Sequence, residues 1–203
     1  MNFIAFDLET TGLSAKQDQI IEIGAVKFEN EIATHRFGTL VNPGISIPYG
    51  ASAVNGITDD MVKNKPTIDH VLEDFALFCG DLPLVAHNAS FDFKFLENNI
   101  IKYQAPAPKG PVFDTLGLAR KLYQGLPNHK LGTLVRHFGF PSGTFHRAEE
   151  DSVYCGMLFI KIIQTLKQRG EECSEETFFK YTQKFPLHFS QCTSSTQQTD
   201  FLF

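Results

Sequence analysis

FIAFDLETTGL, Phe3–Leu13, opens on a nearly continuous apolar run, Phe3 to Leu8, that ends at the acids Asp7 and Glu9 and passes into a turn. It is too short for an ordinary helix, and a run of this kind fits a strand buried on both faces. Side chains of a strand alternate between faces, so Asp7 and Glu9, two apart, project from the same side at the strand's end. Taken alone, an acidic pair is most often a solvent-facing one, and Thr10-Thr11-Gly12-Leu13 reads simply as a strand-ending turn.

Outward from this strand, Ile20–Phe28 and Ile32–Val41 read as two more, joined through the polar turn Glu29-Asn30-Glu31. Pro43 to Asn64, rich in Gly and Pro, reads as loop. Thr67 reads as a helix N-cap, ahead of the apolar stripe Ile68, Val71, Leu72, Phe75 and Phe78 that Gly80 stops. Pro83–Ala86 is a further buried strand, and Ser90 opens a helix carrying Phe91, Phe95 and Leu96. Val112-Phe113 reads as a last short strand, with Asp114 capping a helix through Tyr123. Helices are expected over Leu131–Phe138, Ala148–Arg169 and Glu175–Lys184. Strands first, then helices alternating with strands, give an α/β class with a mixed sheet flanked by helices.

The 203 residues, 42% of them hydrophobic, are enough for one domain with a core of ordinary size, made aromatic by 20 Phe. No apolar run approaches membrane-spanning length, and Met1-Asn2-Phe3-Ile4 enters the first strand directly, without a basic leader. Cys79, Cys155, Cys173 and Cys192 form no close pair, so reduced thiols in a cytoplasmic protein are expected. A net charge of −5 argues against tight, non-specific wrapping of duplex nucleic acid. It leaves open the grip of a strand end, which needs fewer phosphate contacts.

Two further blocks carry chemistry. Asp92 lies in HNASFDFKFL, a few residues past a buried strand and near the start of a helix, where an acid is also ordinarily favoured by the helix dipole. FHRAEED holds His146 and Asp151, the aspartate one turn into the long helix and the histidine in the loop that feeds it. Each block is weak alone. Brought together, four carboxylates repel one another unless cations join them, which is the requirement of a two-metal phosphodiesterase.

In this order and spacing, the blocks resemble the three motifs of the DnaQ-like, DEDDh-type 3′–5′ exonucleases, which have an RNase H-like fold. They look most like the proofreading epsilon subunits of bacterial replicative polymerases. Asp7 and Glu9 match the first motif, Asp92 the second, and His146 with Asp151 the third; the tyrosine branch would place Tyr at Arg147. NGIT, VFDTLGLARKLY and HKLGTL resemble connecting segments, and the likeness runs from about residue 1 to 165. It implies an exonuclease domain over residues 1–186 and two Mg²⁺ or Mn²⁺ ions held by Asp7, Glu9, Asp92 and Asp151. It also implies His146 as general base, and nucleoside 5′-monophosphates released from single-stranded or frayed DNA 3′ ends.

Thr10, Thr11, Gly12, Leu13, Asn55, Gly56, Ile57, His87, Asn88 and Phe91 are the expected substrate contacts, with His in many relatives at the position of Asn55. For Phe95, core packing is the better reading. An RNA-trimming exonuclease and a non-catalytic nucleic-acid-binding scaffold stand as alternatives, and a replicative polymerase as a partner. Residues 187–203 are expected to be a flexible tail, rich in Ser, Thr and Gln over Ser190 to Thr199 and ending in three apolar residues. Gln198, Phe201, Leu202 and Phe203 resemble a sliding-clamp-binding peptide.

Overall fold

The computed structural model describes residues 1–141 and 146–191. Strands β1 (Phe3–Thr10), β2 (Ile20–Glu29), β3 (Ile32–Leu40), β4 (Leu84–Ala86) and β5 (Val112–Asp114) form one mixed sheet in the order β3-β2-β1-β4-β5. The β1–β2 and β2–β3 pairs are antiparallel, and the β1–β4 and β4–β5 pairs are parallel. This is the expected α/β class, with the sheet flanked by helices. No helix among the described residues is long and apolar enough to cross a membrane.

The period of two along β1 divides the core. Ile4, Phe6 and Leu8 enter a cluster with α3 (Ile68–Cys79) and α4 (Ser90–Tyr103) on one face of the sheet. Phe3 and Ala5 enter the opposite cluster, with Leu158, Phe159 and Ile162 of α7 (Ala148–Gln168). Asp7 and Glu9 therefore continue the α7 face, at the end of the strand where core gives way to solvent. On β2, Val26 and Phe28 share that face with Glu22 and Gly24.

Two expectations change. The stretch read as loop from Pro43 to Asn64 contains α1 (Tyr49–Asn55) and α2 (Asp59–Val62). These helices are so short that no apolar stripe develops, and Gly56, left-handed at φ 72°, ends α1 as a C-cap. The packed body also runs past residue 186. After α8 (Glu175–Thr182), Leu187 bridges to Val112 on the outer edge of β5, Phe189 is buried against Phe93, and Ser190 donates to Glu97. Two more helices, α5 (Thr115–Leu122) and α6 (Leu131–Phe138), complete the α7 side. The tail residues Gln198, Phe201, Leu202 and Phe203 lie outside the described residues.

Candidate active site

Three elements meet at the end of β1. Asp7 and Glu9 come from the strand itself. Asp92, in the first turn of α4, is buried and accepts the backbone N–H of Leu8 through Oδ1 at 3.1 Å. Although α4 packs on the opposite face, this bond carries its carboxylate over the strand's edge to the acidic pair. Asp151, in the first turn of α7, is buried at 8% exposure. Glu9, His146 and Asp151 each offer a ligand atom, and the three atoms lie within 4.8 Å of one another.

The electrostatics are those of a site short of positive charge. Burial pushes Asp7 well above the usual carboxylate range, and the neighbouring Asp92, Asp151 and Glu9 push it further. Glu9 is raised to about 7, by burial first and Asp151 next, while a hydrogen bond from the Asn55 side chain pulls the other way. Asp92 is raised to about 8, chiefly by burial, against the N–H donors that hold it. Asp151 is raised by burial and eased by His146. One carboxylate oxygen of Asp151 is buried without a hydrogen-bond partner. Clustered acids that all resist ionisation, with an orphaned oxygen among them, fit divalent cations bound by carboxylates.

His146 is tied to the acids through its own backbone. It is exposed, but its φ of 66° is left-handed and its N–H donates to Asp151 Oδ2 at 3.0 Å. The expected substrate residues fall into two groups. Leu13 is 87% exposed beside the acids, Gly12 and Asn88 are accessible, and Phe91, half-buried, leans on Phe95. Phe95 itself is core. Asn55 reaches Glu9 and also accepts the Ile57 N–H at 3.0 Å, so it is tied both to the acids and to its own turn.

The remaining candidates face inward. Thr11 Oγ1 accepts the Gln19 N–H, Ile57 is fully buried, and Thr10 closes the turn onto the Gly12 carbonyl. His87 spends both ring nitrogens on Thr115 and the His129 carbonyl.

Two further supports hold the site: Asp114 is the N-cap expected from the sequence, whereas its bonds to the Asp92 turn and the part played by Glu22 were not singled out there. Asp114 caps α5 through the Leu116 N–H and also accepts from Asn88 and Ala89, fixing the turn that delivers Asp92. Glu22, 5% exposed and opposite Glu9 in register, grips Arg147 and the Ala148 N–H. A signal was available for Glu22: an acid within Ile20-Ile21-Glu22-Ile23 must be buried, and a buried carboxylate needs a partner.

Comparison with known proteins shows the family. The Exonuclease family profile matches residues 4–159. The chain is 39% identical to the DNA polymerase III subunit epsilon of Treponema pallidum, covering 87% of this chain and 94% of that protein. It is 36% identical to the epsilon subunit of Aquifex aeolicus, over 88% and 83% of the two chains. It is also 44% identical to the PolC-type DNA polymerase III of Clostridium perfringens, but spans only 10% of that protein's length. Among solved structures, Exonuclease X in complex with 5′ overhanging duplex DNA superposes with a TM-score of 0.66 at 31% identity, covering 80% of this chain and 92% of that one. A profile match across most of the chain, and relatives matched nearly end to end, place this protein in the exonuclease family.

Proposed function

We propose that the protein is a metal-dependent 3′–5′ exonuclease acting on DNA ends, in proofreading or repair. One observation carries the reading: Asp7, Glu9, Asp92 and Asp151, from three separate elements, converge with His146 at one strand end, where burial and mutual repulsion oppose their ionisation. The epsilon subunits and the DNA complex of Exonuclease X among its relatives support DNA as the substrate.

In this mechanism Asp7, Glu9 and Asp151 would hold the cations, Mg²⁺ or Mn²⁺ by their preference for carboxylate and water oxygens, and Asp92 would complete the cluster. Such ions neutralise the acids and the scissile phosphate and lower the pKa of water. His146 accepts the proton of the attacking water, a role suited to an imidazole near neutral pH. Attack at phosphorus breaks the bond to the 3′ oxygen of the penultimate nucleotide and releases a nucleoside 5′-monophosphate. Gly12 admits close backbone approach, and Leu13, Asn55, Gly56, Asn88 and Phe91 hold the terminal nucleotide. Thr10, Thr11, Ile57 and His87 support them from beneath.

For partners, we propose a bacterial sliding clamp bound through Gln198, Phe201, Leu202 and Phe203, and a replicative polymerase at the same primer end. A cytoplasmic location accords with the thiols of Cys79, Cys155 and Cys173, which form no disulfide.

End-labelled DNA and RNA oligonucleotides, incubated with Mg²⁺ and resolved on a gel, test the activity. The expected result is stepwise shortening of DNA from the 3′ end, abolished by EDTA and lowered roughly 10²–10⁴-fold by His146→Ala. Cleavage in excess EDTA, or shortening from the 5′ end, contradicts the mechanism. Faster trimming of RNA than of DNA assigns the substrate to the alternative class.

A further inference from the structure

Glu22 carries no role in the mechanism above, yet it is the most thoroughly engaged buried acid outside the cation cluster. It accepts Arg147 Nη2 at 2.7 Å and Nε at 3.1 Å through Oε1, and the Ala148 N–H at 3.0 Å through Oε2. A charge 5% exposed is expensive unless paired in this way. The pair joins β2 to the residue that follows His146.

The elbow entering α7 is held from two sides. On one side, the His146 N–H donates to Asp151 Oδ2 at 3.0 Å, and the Asp151 N–H donates back to the Arg147 carbonyl at 2.9 Å. On the other, Arg147 and Ala148 are tied to Glu22. Beneath them, Ser152 Oγ donates to the Gly24 carbonyl at 3.0 Å, and a Cβ on Gly24 would stand 2.1 Å from the Ala148 carbonyl carbon. The packing at Gly24 and Ser152 fixes the body of the helix. Among the described residues, the Glu22 pair is the side-chain tie from the sheet to the residue beside His146, whose left-handed backbone needs restraint to persist.

We propose that Glu22, acting through Arg147, is a positioning residue that sets the imidazole of His146 and the carboxylate of Asp151 for reaction. The inference rests on the exonuclease reading for its kinetic readout but not for its structural one. Loss of an outer partner of this kind costs about 10–100-fold where ligands must be held in place. An ion pair serving stability alone would lower the melting temperature and leave turnover of the folded enzyme unchanged.

The test compares wild type with Glu22→Gln, in the full chain. On a short DNA oligonucleotide with saturating Mg²⁺, Glu22→Gln is expected to lower kcat about 10–100-fold with KM within about threefold. In the metal-free protein, histidine-labelled NMR is expected to show the His146 resonance shifted while those of His70, on α3, and His188, beyond α8, hold their positions. Arg147 is 45% exposed and walls a cleft of about 400 Å³, so its replacement opens no buried cavity. Arg147→Lys, which keeps Glu22 compensated but loses the two-pronged grip, therefore serves if Glu22→Gln does not fold, and the same shifts are expected. Wild-type kcat, or a fall in kcat with the His146 resonance unmoved, overturns the proposal. An inactive wild type with the His146 resonance still moved by the variants would refute the exonuclease reading alone.

Discussion

Each of the acids at the end of β1 has an environment that favours its neutral form, and this gives the metal-free protein an unusual dependence on pH. An ordinary carboxylate titrates near 4, whereas the fold pushes Glu9 to about 7 and Asp92 to about 8. A pKa raised by folding means that protonation favours the folded state. That stabilisation is complete below the ordinary value and is lost as the pH climbs through 7 and 8. In the presence of EDTA, the melting temperature is expected to fall by at least about 5 °C between about pH 5.5 and 8.5, which corresponds to about 1–2 kcal/mol in a chain of this size. Asp92→Asn should flatten the profile, and millimolar Mg²⁺ should restore the loss at the alkaline end. A melting temperature that holds or rises with pH in EDTA would show that the acids are already ionised and compensated without metal.

At the scale of elements, the site depends on how closely α7 approaches β2. Gly24 makes that approach: any Cβ there would meet the Ala148 and Glu149 backbone at 2.1–2.4 Å, which cannot rotate away. Gly24→Ala is expected to destabilise the protein by about 1–3 kcal/mol and to lower nuclease activity by lifting Asp151 from the acids. Gly50→Ala, with open space around the position, should be neutral or stabilise α1 by up to about 1 kcal/mol. Urea titrations of both variants check the contrast, and equal midpoints would remove Gly24 from the account.

The strands and long helices were legible in the sequence because their periodicity is imposed by the core, as along Phe3 to Leu8 and down α3 and α7. The acids were legible because cation binding constrains their residue types and because their order and spacing resemble the family's three motifs. Helices α1 and α2 were not, since they are too short to develop a stripe. Nor was the inward turn of His87, whose partners Thr115 and His129 lie 28 and 42 residues away.

At the scale of the whole molecule, the central place of β1 makes one site out of distant blocks. It pairs with β2 on one side and β4 on the other, while the chain after α8 returns to cover β5. The described residues end at Gln191, whose side chain donates to the Pro108 carbonyl, and the proposed clamp peptide starts at Gln198. The expected outcome is micromolar binding of the isolated clamp by the full chain. Deletion of Gln198 to Phe203 should remove it while sparing cleavage of short oligonucleotides. Equal binding by intact and truncated proteins, or none by either, returns these residues to a role within the chain itself. The bonds that close the site, Leu8 to Asp92 and Glu22 to Arg147, span 84 and 125 residues of sequence. Contacts of such separation are expected to form late in folding, because loop-closure entropy opposes them. Repulsion among the acids is then largely absent from the folding transition state and felt mainly in the native protein, so it speeds unfolding and hardly slows folding. A bound cation would therefore act as a brake on unfolding, and the kinetic lifetime of the native state would follow the occupancy of its active site.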